Sequence, residues 1–159
     1  MIYARMESPV GQLLLVKDEE GLRSVSFEGS KRAAVHEGCR KDEVGFAKEV
    51  RQLRAYFAGE LREFDLELAP QGTEFQLRVW RELRAIAYGE TISYAELARR
   101  VGNEKASRAV GLANGSNPIP IIVPCHRVIG SNGALTGFGG GLENKAKLLA
   151  LESRQLKLL

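Results

Sequence analysis

Apolar positions change their spacing several times along the chain, and each change marks an element. Gln12-Leu13-Leu14-Leu15-Val16 is a short apolar run, bounded by Pro9-Val10-Gly11 and by Asp18-Glu19-Glu20-Gly21. Leu22 to Phe27 follows, and two such runs with a glycine-containing connection predict a β-hairpin. A polar stretch, Glu28 to Glu43, leads to Phe46, Val50, Leu53 and Phe57. These fall at i, i+4, i+7 and i+11, one face of a helix that should stop at Gly59. Phe64, Leu66 and Leu68 alternate as a further strand would. Ala69-Pro70-Gln71-Gly72-Thr73 then reads as a linker, which divides the chain into domains at 1–70 and 71–159.

The second part begins with a helical pattern. Phe75, Val79, Leu83 and Ile86 share a face with Trp80 beside it, and Tyr88-Gly89-Glu90 should end the helix. Ser93 stands three residues before Glu96, the spacing of a capping box. Tyr94, Leu97, Ala98 and Val101 make one apolar stripe, and Gly102-Asn103 makes a turn. Ala106, Ala109, Val110 and Ala113 make the next stripe. Two short helices around a tight glycine-containing turn are the pattern of a helix-turn-helix. At about 100° per residue, Arg108 lies roughly 200° from Ala106 and so faces away from that stripe. Gly111 and Gly115 are expected near it, on a face that another surface can approach closely.

Charge sharpens this reading. Residues 1–70 carry 11 basic and 13 acidic side chains, a net −2, whereas residues 71–159 carry 12 and 7, a net +5. An excess of positive charge in the second half suits a polyanionic partner, although a solvated basic face has the same composition. Apolar and charged fractions of 44% and 27% are those of a soluble globular protein. No apolar run approaches the roughly 18 residues of a membrane span, and the first residues lack the apolar core of a signal peptide. The expected location is the cytoplasm, without membrane association. Cys39 and Cys125 are far apart and outside any CxxC pair, and the chain has only two histidines, His36 and His126. Neither a disulfide nor a four-ligand metal site is expected from so few ligands.

The candidate chemistry sits after the second short helix, in Gly115-Ser116-Asn117-Pro118-Ile119-Pro120-Ile121-Ile122-Val123-Pro124-Cys125-His126-Arg127-Val128-Ile129. Three prolines within seven residues forbid a helix and predict a rigidly extended backbone. A free cysteine among aliphatic residues is ordinarily inert core. It becomes a useful nucleophile as the thiolate, which needs a nearby positive charge or base. His126 and Arg127 adjoin Cys125, but neighbours in an extended segment point to opposite sides. Spacing by itself therefore leaves the inert and the reactive readings of Cys125 both open.

Pro124-Cys125-His126-Arg127-Val128 resembles the signature of the O6-alkylguanine-DNA alkyltransferases. So do Gly89-Glu90-Thr91-Ile92-Ser93-Tyr94, Ser107-Arg108-Ala109-Val110-Gly111, Asn117-Pro118-Ile119-Pro120-Ile121 and Gly137-Phe138-Gly139-Gly140-Gly141-Leu142. All stand in that family's order, densely from about Phe75 to Glu152. Over residues 1–70 the likeness is weaker, carried by Ser8-Pro9-Val10-Gly11 and the leucines after it. The resemblance implies an α+β fold: a small N-terminal antiparallel sheet with helices, then a C-terminal winged-helix-like domain with a helix-turn-helix. The first would be supporting, and the second would bind DNA and transfer the alkyl group.

The resemblance also implies a mechanism. A damaged nucleotide rotates out of double-stranded DNA into a pocket, Arg108 fills the vacancy, and the second helix of the motif enters the minor groove. Tyr94 donates to N3 of the guanine, although its place on the apolar stripe predicts a buried ring. Carbonyls of Cys125 and Val128 accept from the exocyclic amine, the Gly139 amide donates to O6, and Phe138 forms a wall. Cys125 attacks the alkyl carbon, His126 acts as base through a water, Glu152 orients His126, and Asn117 braces the loop. For Asn117 a plain turn role before proline fits the sequence almost equally well. DNA contacts are expected from Arg108, Tyr94, Asn103, Ser131 and Gly111.

Transfer would be single-turnover and irreversible, from O6-alkylguanine and by extension O4-alkylthymine. The implied protein is a monomer with no cofactor, no metal and no obligate protein partner. Animal members carry an N-terminal zinc site, which is not expected here with only His36 and Cys39 available. Phe138 and Gly139 stand where some members have Tyr and Ser. The alternatives are a non-enzymatic damage-recognition protein, which would replace the cysteine; an alkylation-sensing activator, which would need a further metal-thiolate domain; and a cysteine hydrolase, which would leave the helix-turn-helix without a use.

Overall fold

The computed structural model describes residues 1–157 and divides the chain into two compact units, Met1–Pro70 and Gln71–Leu159. In the first unit, Ile2–Met6 (β1), Leu13–Asp18 (β2) and Gly21–Phe27 (β3) form an antiparallel meander, and Arg40–Lys41 (β4) adds a short parallel edge to β1. Sheet order is β3-β2-β1-β4. The β2–β3 hairpin is the one the two apolar runs predict. Strand β1 carries too few apolar residues at period two to announce itself; it forms because Ala4 and Met6 reach the core from a place beside β2.

A 3-10 turn at Val44–Phe46 opens the helix Ala47–Phe57 (α1), which stops before Gly59 at φ +77°, where a left-handed residue ends a helix cheaply. Its buried face differs slightly from the one the spacing predicts. Tyr56 is buried in place of Phe57, and Val50 is only half-buried. Glu49 is buried too, held by Lys17 at 2.9 Å. The strand expected at Phe64, Leu66 and Leu68 is not a strand. Only Leu68 bridges, to Leu22, with Leu22 N–H donating to Glu67 O and Ala69 N–H to Leu22 O. With no partner strand beside Phe64 and Leu66, alternation alone cannot make a ladder.

The second unit starts with Glu74–Arg84 (α2). Thr73 and Gln76 form a reciprocal capping box there, which the apolar spacing does not announce. The helix ends four residues short of Tyr88, with Ile86 buried in the following turn. Ile92–Ser93 (β5), Tyr94–Arg100 (α3) and Ser107–Gly115 (α4) follow, and α3 packs on α4 as the helix-turn-helix pattern requires. At Ser93 only half of the expected box forms. Its hydroxyl accepts from the Glu96 amide, while the Glu96 carboxylate turns to Arg99 and Arg100. Those two arginines hold the half-buried Glu96 carboxyl down at about 2.

On α4, Val110 and Ala113 are buried, Ala109 is exposed, and Asn114 replaces it inside. Val128–Ile129 (β6) pairs in parallel with β5, and Leu142–Lys157 (α5) closes the unit. The architecture is α+β, a sheet-bearing unit followed by a mainly helical one. Among the described residues, no helix is long and apolar enough to cross a membrane.

Candidate active site

The segment between α4 and β6 is turned, not extended as its prolines suggest. Residues 119–128 are all buried, and the backbone bends through Ile121 at φ +75°, a left-handed conformation a β-branched residue adopts only under constraint. The constraint is visible. Asn117, 4% exposed, donates from Nδ2 to Val123 O at 2.8 Å and accepts at Oδ1 from Ile119 N–H at 3.0 Å. The Val123 amide donates back to Ile119 O at 2.9 Å. Pro124 then starts a 3-10 turn, Cys125–Arg127. A turn places neighbouring side chains on different sides of one short cylinder, and His126 and Arg127 both reach Glu152 on α5.

Glu152 on α5 collects that turn. His126 Nε2 lies 2.7 Å from Glu152 Oε2, Arg127 Nε donates to Oε1 at 2.9 Å, and Arg127 Nη2 donates to Oε2 at 3.1 Å. The Gly89 amide adds a fourth bond to Oε1, at 3.1 Å. Arg127 also donates to Ile86 O at 2.7 Å and lies over the Tyr88 ring. All three charged or titratable side chains are buried.

Burial alone would raise the Glu152 carboxyl. The hydrogen bonds and charges of His126 and Arg127 outweigh it, and hold the group ionised at about 2. Burial pushes the His126 imidazole below its ordinary value; Glu152 opposes this and Arg127 and Lys145 reinforce it. At neutral pH His126 is therefore neutral, with its Nε2–H committed to Glu152. Its buried Nδ1 has no hydrogen-bond partner and keeps a lone pair. Cys125 precedes His126 in the same buried 3-10 turn, so a thiol and an oriented neutral imidazole stand next to one another in the chain.

The two units match two models of one family. Residues 74–154 match the 6-O-methylguanine DNA methyltransferase DNA binding domain, and residues 1–70 match the 6-O-methylguanine DNA methyltransferase ribonuclease-like domain. The chain belongs to the 6-O-methylguanine DNA methyltransferase family. A methylated-DNA–protein-cysteine methyltransferase of Methanosarcina acetivorans is 58% identical over 153 residues, 96% of this chain and 98% of that one. A protein of the same name from Mycolicibacterium paratuberculosis is 53% identical over 96% of this chain and 92% of its own. Among solved structures, Mycobacterium tuberculosis OGT in complex with DNA superposes with a TM-score of 0.91 at 49% identity. That match covers 98% of this chain and 94% of that one.

Within this methyltransferase fold, Cys125, His126, Glu152 and Asn117 come together around the buried turn. Val128 follows it directly in β6. The Tyr94 ring is half-buried, and its hydroxyl accepts from Thr136 Oγ1 at 2.9 Å. This reconciles the apolar stripe with a polar tip. Phe138 is half-buried and Gly139 exposed in the loop before α5. Arg108, Asn103 and Ser131 are exposed. Gly111 does not lie on an open face beside Arg108, because a Cβ there would meet the Tyr94 ring at 3.6 Å. Gly115 is the open one.

Spacing and motifs do not bring out Arg127 as a structural member, nor Asn114, which donates to Cys125 O at 3.4 Å. They also miss Lys145. A signal exists for the last. Lys145, Leu148 and Glu152 lie at i, i+3 and i+7 on α5, so a cation and an acid share an apolar stripe.

Proposed function

We propose that this chain repairs DNA by direct transfer of a methyl or larger alkyl group from O6 of guanine to Cys125. The observation that carries the reading is the open Nδ1 of a buried His126 whose other nitrogen is fixed by an ionised Glu152. An oriented neutral imidazole next to a cysteine has one evident use, to take the thiol proton. It does so by way of one water. The sulfur then forms its bond to the alkyl carbon as the carbon–O6 bond breaks, and the proton ends on the departing guanine. The product is a thioether with no leaving group, so each molecule acts once.

Residues 71–159 hold every candidate group, and residues 1–70 act as a supporting domain. The damaged nucleotide leaves the duplex to reach so deep a sulfur. Arg108 takes its place in the stack, with Asn103 and Ser131 on the flanking backbone and the open Gly115 allowing close approach. Tyr94 turns its hydroxyl from Thr136 to guanine N3, carbonyls of Cys125 and Val128 take the exocyclic amine, and the Gly139 amide meets O6 beside Phe138. Donors at N3 and O6 stabilise the charge that develops on the base. The Mycobacterium tuberculosis relative is likewise seen with DNA bound, which supports a DNA partner here. O4-alkylthymine offers the same alkyl–oxygen bond and is a second substrate. The protein acts as a cytoplasmic monomer without cofactor; Cys39 and Cys125 are both reduced thiols, and a nucleophilic thiol needs a reducing compartment.

Intact and peptide mass spectrometry after mixing with excess O6-methylguanine duplex tests this. One methyl per molecule on the Cys125 peptide, absent in Cys125→Ser, is the expected result. Tight binding without mass change would make the chain a damage-recognition protein instead.

A further inference from the structure

Lys145 on α5 is fully buried, a rare position for a lysine and one that calls for a use. Its Nζ donates to Val128 O at 2.6 Å and to Thr136 O at 2.7 Å. Both acceptors are neutral carbonyls, and they belong to the two sides of the proposed guanine site. Val128 pairs with Ile92 in the β5–β6 ladder and follows the Cys125 turn directly. Thr136 sits in the loop that carries Phe138 and Gly139, and its hydroxyl donates to Tyr94. Other bonds of the loop, from Gly130 N–H to Ala134 O, from Gly141 N–H to Phe138 O and from Asn144 Nδ2 to Gly140 O, close turns at its two ends. Gly133, Gly137 and Gly141 all have positive φ, and most of its residues are exposed.

An ammonium is a compact donor that binds several oxygens at once, and burying it is costly unless hydrogen bonds such as these offset the lost water. Here it replaces the packing that a glycine-rich loop cannot supply. We propose that Lys145 is a positioning residue for alkyl transfer, clamping the Val128 strand to the Thr136–Gly139 loop so that both walls of the guanine site stand ready before the base arrives. The Val128 carbonyl has two lone pairs, and the clamp leaves one for the exocyclic amine. The arrangement also sets a cation within electrostatic reach of Cys125, whose negative charge as thiolate favours the ammonium against the burial that opposes it.

The inference rests on the proposed alkyl transfer, and its test separates the two. Single-turnover methylation by O6-methylguanine duplex is followed over a range of duplex concentrations for the wild type, Lys145→Met and Lys145→Arg. Lys145→Met keeps the apolar stem and removes the donors. It should slow the saturated rate at least tenfold with little change in affinity for undamaged duplex, because Lys145 is too deep to meet phosphate. Lys145→Arg, which keeps the charge and two donors, should recover part of that rate. A folded Lys145→Met with the wild-type saturated rate overturns the clamp, and so does a parallel loss of rate and undamaged-duplex affinity.

A wild type that takes no methyl overturns the alkyl-transfer reading instead. In that case, or if the variants do not fold, 15N–1H correlation spectra of the lysine ammonium groups in the wild-type protein decide. The clamp requires one exchange-protected ammonium that shifts when iodoacetamide caps Cys125. Lysines that all exchange at solvent rates exclude it.

Discussion

The two units use their interiors differently. In residues 1–70 the buried side chains are mostly Leu, Val and aromatic residues from β2, β3 and α1, with Ser26 and Glu49 as the polar exceptions. In residues 71–159 the interior holds Asn114, Asn117, His126, Arg127, Lys145 and Glu152 as well. Each of these must be hydrogen-bonded or lose stability, and most are tied to the backbone around Cys125 or to one another. The first unit's core could be exchanged for another of similar volume. The second unit's could not, because its polar groups hold particular carbonyls and one imidazole in place.

The sharpest break of this contrast is Cys125→Ser, expected to abolish transfer at a cost of about 1 kcal/mol or less in stability, since one small side chain replaces another. Loss of all methyl uptake by mass spectrometry, with a nearly unchanged thermal midpoint, is the expected pair of readings. Next comes Glu152→Gln. It leaves Arg127 buried without its counter-charge and should cost about 3–5 kcal/mol, read by urea denaturation through the chain's single tryptophan, Trp80, which lies in the same unit. The first unit offers the matching control. Glu49→Gln removes a pair to Lys17 that still meets solvent, and should cost only about 1 kcal/mol.

Acid should reveal the same asymmetry. Glu152 is held at about 2 in the folded chain against an ordinary 4.5. Its stabilisation is complete above 4.5 and is lost as pH falls through that window towards 2. His126 has its folded value lowered from 6.5 by burial. The unfolded chain therefore binds that proton first, and stability already declines as pH drops below 6.5. Trp80 fluorescence at fixed urea should show both losses, and Glu152→Gln should erase the lower one. The smallest effect on stability is expected from Arg108→Ala, within about 0.5 kcal/mol because the side chain is exposed. Its effect should fall on transfer from duplex DNA, with reaction of Cys125 towards iodoacetamide unchanged.

Much of this protein is legible in its residue pattern. The β2–β3 hairpin, α1, α2 and the α3–α4 pair follow from periodicity and from Gly59, Ser93 and Gly102, because local spacing decides which face an element can bury. Five ordered motifs likewise single out Cys125, His126 and Asn117. Where the pattern misleads, a distant partner makes the decision. Phe64, Leu66 and Leu68 alternate correctly, yet only Leu68 has a neighbour to bridge. Glu96 has the capping-box spacing, yet two arginines compete for its carboxylate.

The prolines of 118–124 exclude a helix in any fold, since the ring removes a donor and fixes φ. Whether the chain then extends or turns depends on Asn117 reaching Val123 and Ile119, and on apolar surroundings that accept Ile121 at a positive φ. The sequence by itself determined the order of the helices, the chemistry available at Cys125 and the basic character of the second half. Only the tertiary structure decided that Glu152 serves His126 and Arg127 together, and that Lys145 turns inward to two carbonyls. Those choices join residues 9 to 26 positions apart. A buried charge takes whichever partner the packing brings within hydrogen-bond reach, and no local periodicity records that.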